Sequence, residues 1–331
     1  LIVLCPHFSP DIAPTGKVMT EIVMQWVALG HEVHVVTALP WYRDHQVDPG
    51  WGGKLVRYER TPWGSITRIH PFPAKSKANL LLRAVAFVAF CVIAGVRAVA
   101  VRRHTGRDAR VQHRGVDAVV AMSPPLTLGT IGWLVARLRR TRLIFNVQDV
   151  FPDAAIATGA VRNKLIIALA LWLERFTYRR ASAVVVLSPD LQRNVRNKIG
   201  AKLAERVHVI ENFVDVAGIT PQDRMTPYRR ELGIGTEVVV MYAGNVGFSQ
   251  SLELLVEFAR RTPQVTVLIN GAGVALASLR ARAADVANVR FGEYQPEARL
   301  AEVLATGDIH VVSLRAGLAS VSVPSKTYSI L

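Results

Sequence analysis

Cysteine is nearly absent from this chain: two in 331 residues, Cys5 and Cys91, each inside an apolar run. Isolated thiols in such surroundings read as reduced core side chains, which sets aside a disulfide framework. No CxxC, HExxH or histidine-rich cluster occurs, so neither a metal site nor a cofactor is expected. The G-x-G-x-x-G dinucleotide fingerprint is also missing, which disfavours a NAD-dependent dehydrogenase. No basic stretch precedes an apolar core with a small-residue cleavage site, so no signal peptide is expected. Acidic residues are scarce: 25 against 40 basic ones, for a net charge of +15. Such an excess draws polyanions, whether nucleic acid, an anionic membrane surface or phosphorylated substrates. Nucleic acid fits worst, because the arginines are scattered and no helix-turn-helix, zinc finger or RNA-binding aromatic motif is present.

What is present is enough apolar material for sizeable cores. Half of the residues are hydrophobic and a fifth are charged, outside the range of disordered chains. The length suits about two domains. Both ends, Leu1 in a strand-like Leu-Ile-Val-Leu and Leu331 inside a helical pattern, read as truncations.

The pattern along the chain is strand, loop, helix, repeated. Leu1–Leu4 is a short apolar run, Lys17–Leu29 carries a helical stripe, and Glu32–Thr37 is the next strand. Buried strands follow at Asp117–Met122, Arg142–Val147, Ala183–Leu187 and Arg206–Ile210, with helices at Thr127–Leu138 and Arg162–Arg180. A second series starts at Glu237–Ala243 and runs through strands at Val265–Asn270, Val289–Phe291 and Ile309–Leu314. Helices at Ser251–Arg261, Val274–Ala284 and Pro296–Ala305 alternate with them. Such alternation predicts an α/β protein with parallel sheets covered by helices. The polar stretch 215–236 is the expected linker between residues 1–214 and residues 237–331. Ligands of such sheets bind at the carboxyl ends of the strands, and two facing domains would form a cleft.

Five segments offer chemistry. Gly16 closes a Pro-rich loop that leads into a helix, whose unpaired N–H groups suit phosphate. Tyr242–Gln250 follows a strand and precedes a helix, with Gly244 and Gly247 in the turn. Gly271 and Gly273 flank Ala272 at another strand end, permitting close backbone approach. Ser325 and Lys326 pair a hydroxyl with a point charge, a diphosphate clamp. Asp149, in Gln-Asp-Val-Phe-Pro-Asp after a strand, is placed to orient an acceptor hydroxyl or act as a base. For each there is a plainer alternative: turn glycines, a solvated lysine, a helix-capping aspartate.

The order of these segments resembles the family 4 glycosyltransferases of the GT-B fold, in the branch of bacterial colanic-acid and O-antigen transferases. The resemblance rests on residues 148–153, 242–250 and 323–326 and covers nearly the whole chain. It implies two Rossmann-like domains, the first on the acceptor side and the second, incomplete here, binding the nucleotide sugar. It implies Gly16, Gly244, Asn245, Gly247, Gln250, Ser325 and Lys326 around the donor diphosphate. Gly271, Gly273, Glu293 and Tyr294 would lie towards the nucleoside, and Asp149 towards the acceptor. Asp149 and Lys326 are the implied catalytic groups. The implied reaction moves a sugar, with retention and no metal, from a nucleoside diphosphate sugar to a lipid-linked saccharide at the cytoplasmic face of a bacterial membrane.

Some positions depart from the family pattern. Val321 and Ser329 stand where many members carry two glutamates. Gln148 replaces a common histidine, Gln250 a phosphate-binding lysine, and Phe248 a basic residue. The family's last strands and crossing helix are missing, which would leave the fragment as written poorly active or inactive. A nucleotide-sugar 2-epimerase of similar fold and a non-catalytic, membrane-associated donor-binding module are the alternatives.

Asn79–Val101 is unusually apolar, but its longest uncharged run, Ala84–Val96, is shorter than the ~18 residues of a spanning helix. With Lys75, Lys77, Arg102, Arg103, Arg107 and Arg110 flanking it, the segment reads as an interfacial helix on anionic headgroups; a helix packed within the first domain is the alternative.

Overall fold

The computed structural model describes residues 1–42, 46–73, 80–101, 115–159, 161–214, 216, 218–247, 249–324 and 326–330. Lys75, Lys77, Arg102, Arg103, Arg107 and Arg110, invoked above for the membrane, lie outside them, as do Phe248 and Ser325. Two compact units emerge, one comprising Leu1–Glu211 with Ser320–Val323, the other Asn212–Ala319 with Pro324–Leu331.

The first unit runs β1 (Ile2–Leu4), α1 (Pro14–Ala28), β2 (Val33–Ala38), β3 (Val56–Thr61), β4 (Gly64–Ile69), α2 (Leu80–Ala100) and β5 (Ala118–Ser123). It continues with α3 (Leu126–Leu138), β6 (Arg142–Val147), α4 (Asp153–Ala157), α5 (Lys164–Arg180), β7 (Ala183–Val186), α6 (Pro189–Ile199) and β8 (Val207–Val209). Its sheet has the order β3-β4-β2-β1-β5-β6-β7-β8. All neighbours are parallel except β3 and β4. The inner strands β1, β2 and β5 are buried along their whole length, which is why they read as largely apolar, with His34, Thr37 and Ser123 as buried polar exceptions. Side chains define several helix starts. Pro14 opens α1, Asn163 accepts from the amides of Leu165 and Ile166 to cap α5, and Ser188 accepts from Leu191 to cap α6.

The second unit runs α7 (Pro227–Glu231), β9 (Val239–Ala243), α8 (Glu253–Arg261), β10 (Thr266–Asn270), α9 (Leu276–Arg282), β11 (Val289–Gly292), α10 (Leu300–Ala305), β12 (Ile309–His310) and α11 (Thr327–Ile330). Its four strands are parallel, in the order β11-β10-β9-β12. Apolar layers cover both faces: Tyr242, Val256, Ile269 and Leu279 on one, Tyr228, Met241, Leu268 and Val303 on the other.

Several details differ from the sequence expectation. The β3–β4 hairpin and α6 were not anticipated. Part of the stretch 215–236 is α7, whose Arg229 is fully buried and donates to the carbonyls of Gly235 at 2.7 Å and Thr306 at 3.2 Å. The last strand stops at His310 rather than Leu314, because the chain beyond it turns to the loop after β9: the Arg315 amide donates to Ser249 O at 2.7 Å.

Both sheets reverse their strand order once, between β1 and β5 and between β9 and β12. In open parallel sheets the ligand crevice opens at that reversal, at the carboxyl ends of the strands.

Candidate active site

In the second sheet the strand ends are level: Ala243 pairs with Asn270, and Asn270 with Gly292. The residues that follow, Gly244, Gly271 and Glu293, therefore emerge side by side along one edge. The first two loops are laced together. The Gly244 amide donates to Asn270 O at 2.7 Å, the Val246 amide to Ala272 O at 2.9 Å and the Ala275 amide to Val246 O at 3.0 Å. Gly271, at φ +147°, lies so close to Gly244 O that a methyl group would overlap it, and Gly273 is pressed against Val246 O in the same way.

Lys326 lies across this edge. A side chain at Gly244, whose φ is +136°, would collide with the Lys326 methylenes and ammonium. Glycine is required there twice, for its conformation and for the approach of the lysine. The Lys326 Nζ sits 3.7 Å from the centroid of the Tyr242 ring and donates to the Tyr242 hydroxyl. Tyr242 in turn donates to Asn245 O at 2.7 Å. Burial lowers the Lys326 pKa to about 7 and holds the Tyr242 phenol well above its usual range. Half-buried, the amine has the ring and hydroxyl of Tyr242 for contacts and, among the described residues, no ion pair with a carboxylate; a phosphate is a natural counter-charge.

Not every amide of the loop is available. The N–H groups of Gly244 and Val246 are used in the lacing, and Gly247 donates to Gln250 Oε1 at 3.0 Å. The Gln250 side chain thus satisfies the Gly247 amide. Positive charge at this edge comes mainly from Lys326. A hollow of about 540 Å³ opens next to Gly247, between Ser251, Ala275, Arg282 and Arg315. Glu293 and Tyr294 are exposed beyond β11, and the Glu293 carbonyl lies 3.4 Å from the hydroxyl of Tyr228.

Gly16 and Asp149 belong to the first unit; Gly16 is in the first turn of α1, which starts at Pro14 and not after the glycine as the sequence suggested, and Asp149 follows β6. Gly16 packs on His7, where a Cβ would stand 2.9 Å from the His7 Cβ. Burial raises the pKa of Asp149 and a hydrogen bond with Ser322 opposes it. The neighbouring Val150 amide donates to Val321 O at 2.8 Å, fixing the Asp149 loop against the returning segment Ser320–Val323. Two groups escaped the sequence reading. Tyr242 orients Lys326, a relation that spans 84 positions. His7 holds Asp11 at 2.7 Å and stacks on Trp41 at 5.7 Å; the signal was a histidine four residues ahead of an aspartate. Among the described residues no group of three or more His, Cys, Asp or Glu could hold a metal ion.

Two largely parallel α/β units, each with a single strand reversal, give the chain the GT-B fold of its structural neighbours. Residues 15–212 match the family of glycosyl transferase 4-like domains, and the chain belongs to that family. One curated relative is the "Putative colanic acid biosynthesis glycosyl transferase WcaI" of Escherichia coli K12, 26% identical over 98% of this chain and 79% of its own length. A second, the "Probable glycosyltransferase WbjE" of Pseudomonas aeruginosa, is 23% identical over 78% of this chain and 62% of its own. Among solved structures, sucrose-phosphate synthase from Thermosynechococcus elongatus superposes with a TM-score of 0.67 at 16% identity, covering 96% of this chain and 77% of that one. Anabaena Alr3699/HepE, in complex with UDP and glucose, does so with 0.61 at 15% identity, covering 94% and 73%.

Proposed function

We propose that the protein transfers a sugar, with retention of configuration, from a nucleoside diphosphate sugar to a lipid-linked saccharide during bacterial surface polysaccharide synthesis, working at the cytoplasmic face of the membrane. The observation that carries this reading is the Lys326 amine, desolvated over Gly244 and held by Tyr242 at the strand reversal of the second sheet. A departing nucleoside diphosphate develops negative charge, and an ammonium already in place stabilises it without reorganisation. The relatives' descriptions supply the polysaccharide context, and HepE's complexes with UDP and UDP-glucose supply the donor class. Asp149, whose buried carboxyl is more basic than an ordinary one, is the proposed acceptor-side group. Gly16 and Ser325 complete the proposed diphosphate contacts, with Gly271, Gly273, Glu293 and Tyr294 towards the nucleoside.

The test is a donor screen with membrane extract, reading released nucleoside diphosphate, together with Lys326→Ala. Loss of a charge-assisted contact worth about 1.5–3 kcal/mol weakens donor binding roughly tenfold to a hundredfold, with folding unimpaired. Unchanged affinity would remove Lys326 from the site, and no release from any donor would overturn the assignment.

A further inference from the structure

We propose that the outer face of α5, together with the adjoining faces of α3 and α2, is a docking surface for an anionic lipid bilayer. It rests on the function above only in placing the reaction at a membrane; the observations are independent of the donor site.

α5 is apolar on both sides. The side turned to the protein carries Ile167, Ala170, Leu171 and Tyr178 with the fully buried Glu174 and Thr177 among them, while Leu165 (82% exposed), Ile166, Leu169 and Trp172 (59%) face outward. At 3.6 residues per turn, Leu165, Leu169, Trp172 and Phe176 form one stripe. A helix facing water carries polar residues on that side. The inner face is fixed by particular partners: Glu174 accepts from Lys198 at 2.8 Å on both oxygens and from Tyr178 at 3.0 Å, and Thr177 pairs with Thr130 at 3.0 Å. The helix therefore cannot turn its apolar stripe inward without breaking these contacts.

The stripe continues onto its neighbours. Phe176 stacks on Trp172 at 5.6 Å and meets the edge of Trp133 of α3 at 5.0 Å. α3 adds exposed Leu134 and Leu138, and α2 exposes Val85, Val88, Val92 and Val96, again one stripe. Gly95 lets α2 close on Ile131 of α3.

Charge selects the occupant. The sequences of α2, α3 and α5 contain no acidic residue except the buried Glu174. Arginines gather where the helices end: Arg97 on α2, Arg137, Arg139 and Arg140 on or after α3, Arg179 and Arg180 on α5. The α2 and α3 ends adjoin, since Arg139 donates to the Val101 carbonyl at 2.8 Å. Arg180 lies over both the Trp133 and Phe176 rings. An apolar centre with tryptophans and a basic rim is the composition of a headgroup-level surface. A second copy of this chain would bring two basic rims together, which is unfavourable. No described helix is long and apolar enough to cross a membrane, so the contact is with the surface.

The experiment is flotation of the full chain with phosphatidylglycerol-containing vesicles and with phosphatidylcholine vesicles, for the parent, Leu169→Glu, Trp172→Glu and Arg179→Gln/Arg180→Gln. Their exposed positions leave melting temperature and nucleotide binding unchanged. Binding to the anionic vesicles is expected to fall roughly tenfold for each apolar substitution, and the arginine variant to lose its share in a salt-dependent way. Equal binding by parent and variants overturns the proposal, as does a dimer in solution that the same variants split. Vesicle binding that persists in a chain unable to bind any donor would refute the proposed function and leave this surface standing.

Discussion

An ammonium costs free energy to bury, and Lys326 is half-buried with its pKa lowered by desolvation to about 7. A bound diphosphate raises that value again by Coulombic attraction. Both phosphates of a nucleoside diphosphate sugar are esterified and do not titrate in this range, so the lysine alone sets the linkage. Above about pH 7 donor binding takes up a proton. Affinity is full below that pH and falls as pH rises, by up to about tenfold per unit until the bound-state pKa is passed. Calorimetry between pH 6 and 9 in buffers of different ionisation enthalpy should show proton uptake on the alkaline side. An affinity flat across this range, with no proton exchange, would refute the linkage. The sequence marked Lys326 and Gly244 through the order of their motifs. It did not reveal that the lysine lies over the glycine, nor that Tyr242 holds it, because contacts across some eighty positions leave no trace in local spacing.

At the scale of elements, legibility followed periodicity. The inner strands were visible because burial on both faces leaves largely apolar runs, β2 with its buried His34 and Thr37 being the least regular. The β3–β4 hairpin was not, since Arg57, Glu59, Arg60 and Arg68 break the pattern; Arg68 is buried, pairing with Glu59 at 2.7 Å and donating to Ser9 O at 2.6 Å. α5 was visible as a helix, but the exposure of its outer stripe was not, because apolar residues are ordinarily assigned inward. Glu174 anchors its inner side. Burial pushes its carboxyl up to about 7, against the pull of Lys198. Between the unfolded value of 4.5 and about 7 the folded state holds the extra proton, so this residue's contribution to stability declines as pH rises through that window. Glu174→Gln should flatten this dependence in thermal melts. Glu174→Ala leaves Lys198 with Asp153 alone, at 2.8 Å, removes the partner of Tyr178, and should cost about 1–3 kcal/mol. A loss below ~0.5 kcal/mol would show that the cluster does not hold the helix in register.

At the scale of the molecule, the two units have separate cores and unequal reporters. All six tryptophans fall between Trp26 and Trp172, in the first unit, whereas Tyr228, Tyr242, Tyr294 and Tyr328 lie in the second. The lysine–glycine edge is built wholly within the second unit. A nucleoside diphosphate that binds there raises the free energy of opening of the segments that touch it, by up to RT ln(1 + [L]/Kd), about 2.7 kcal/mol at a hundredfold excess over Kd. Hydrogen exchange with a saturating donor nucleotide should therefore slow in Val239–Val246, Asn270–Ala275 and around Lys326. Amides of β7 and β8, strands of the first sheet far in sequence order from its own reversal, should keep their rates. Protection confined to the first unit would place the nucleotide on the other sheet, and with it the charge that Lys326 was meant to meet.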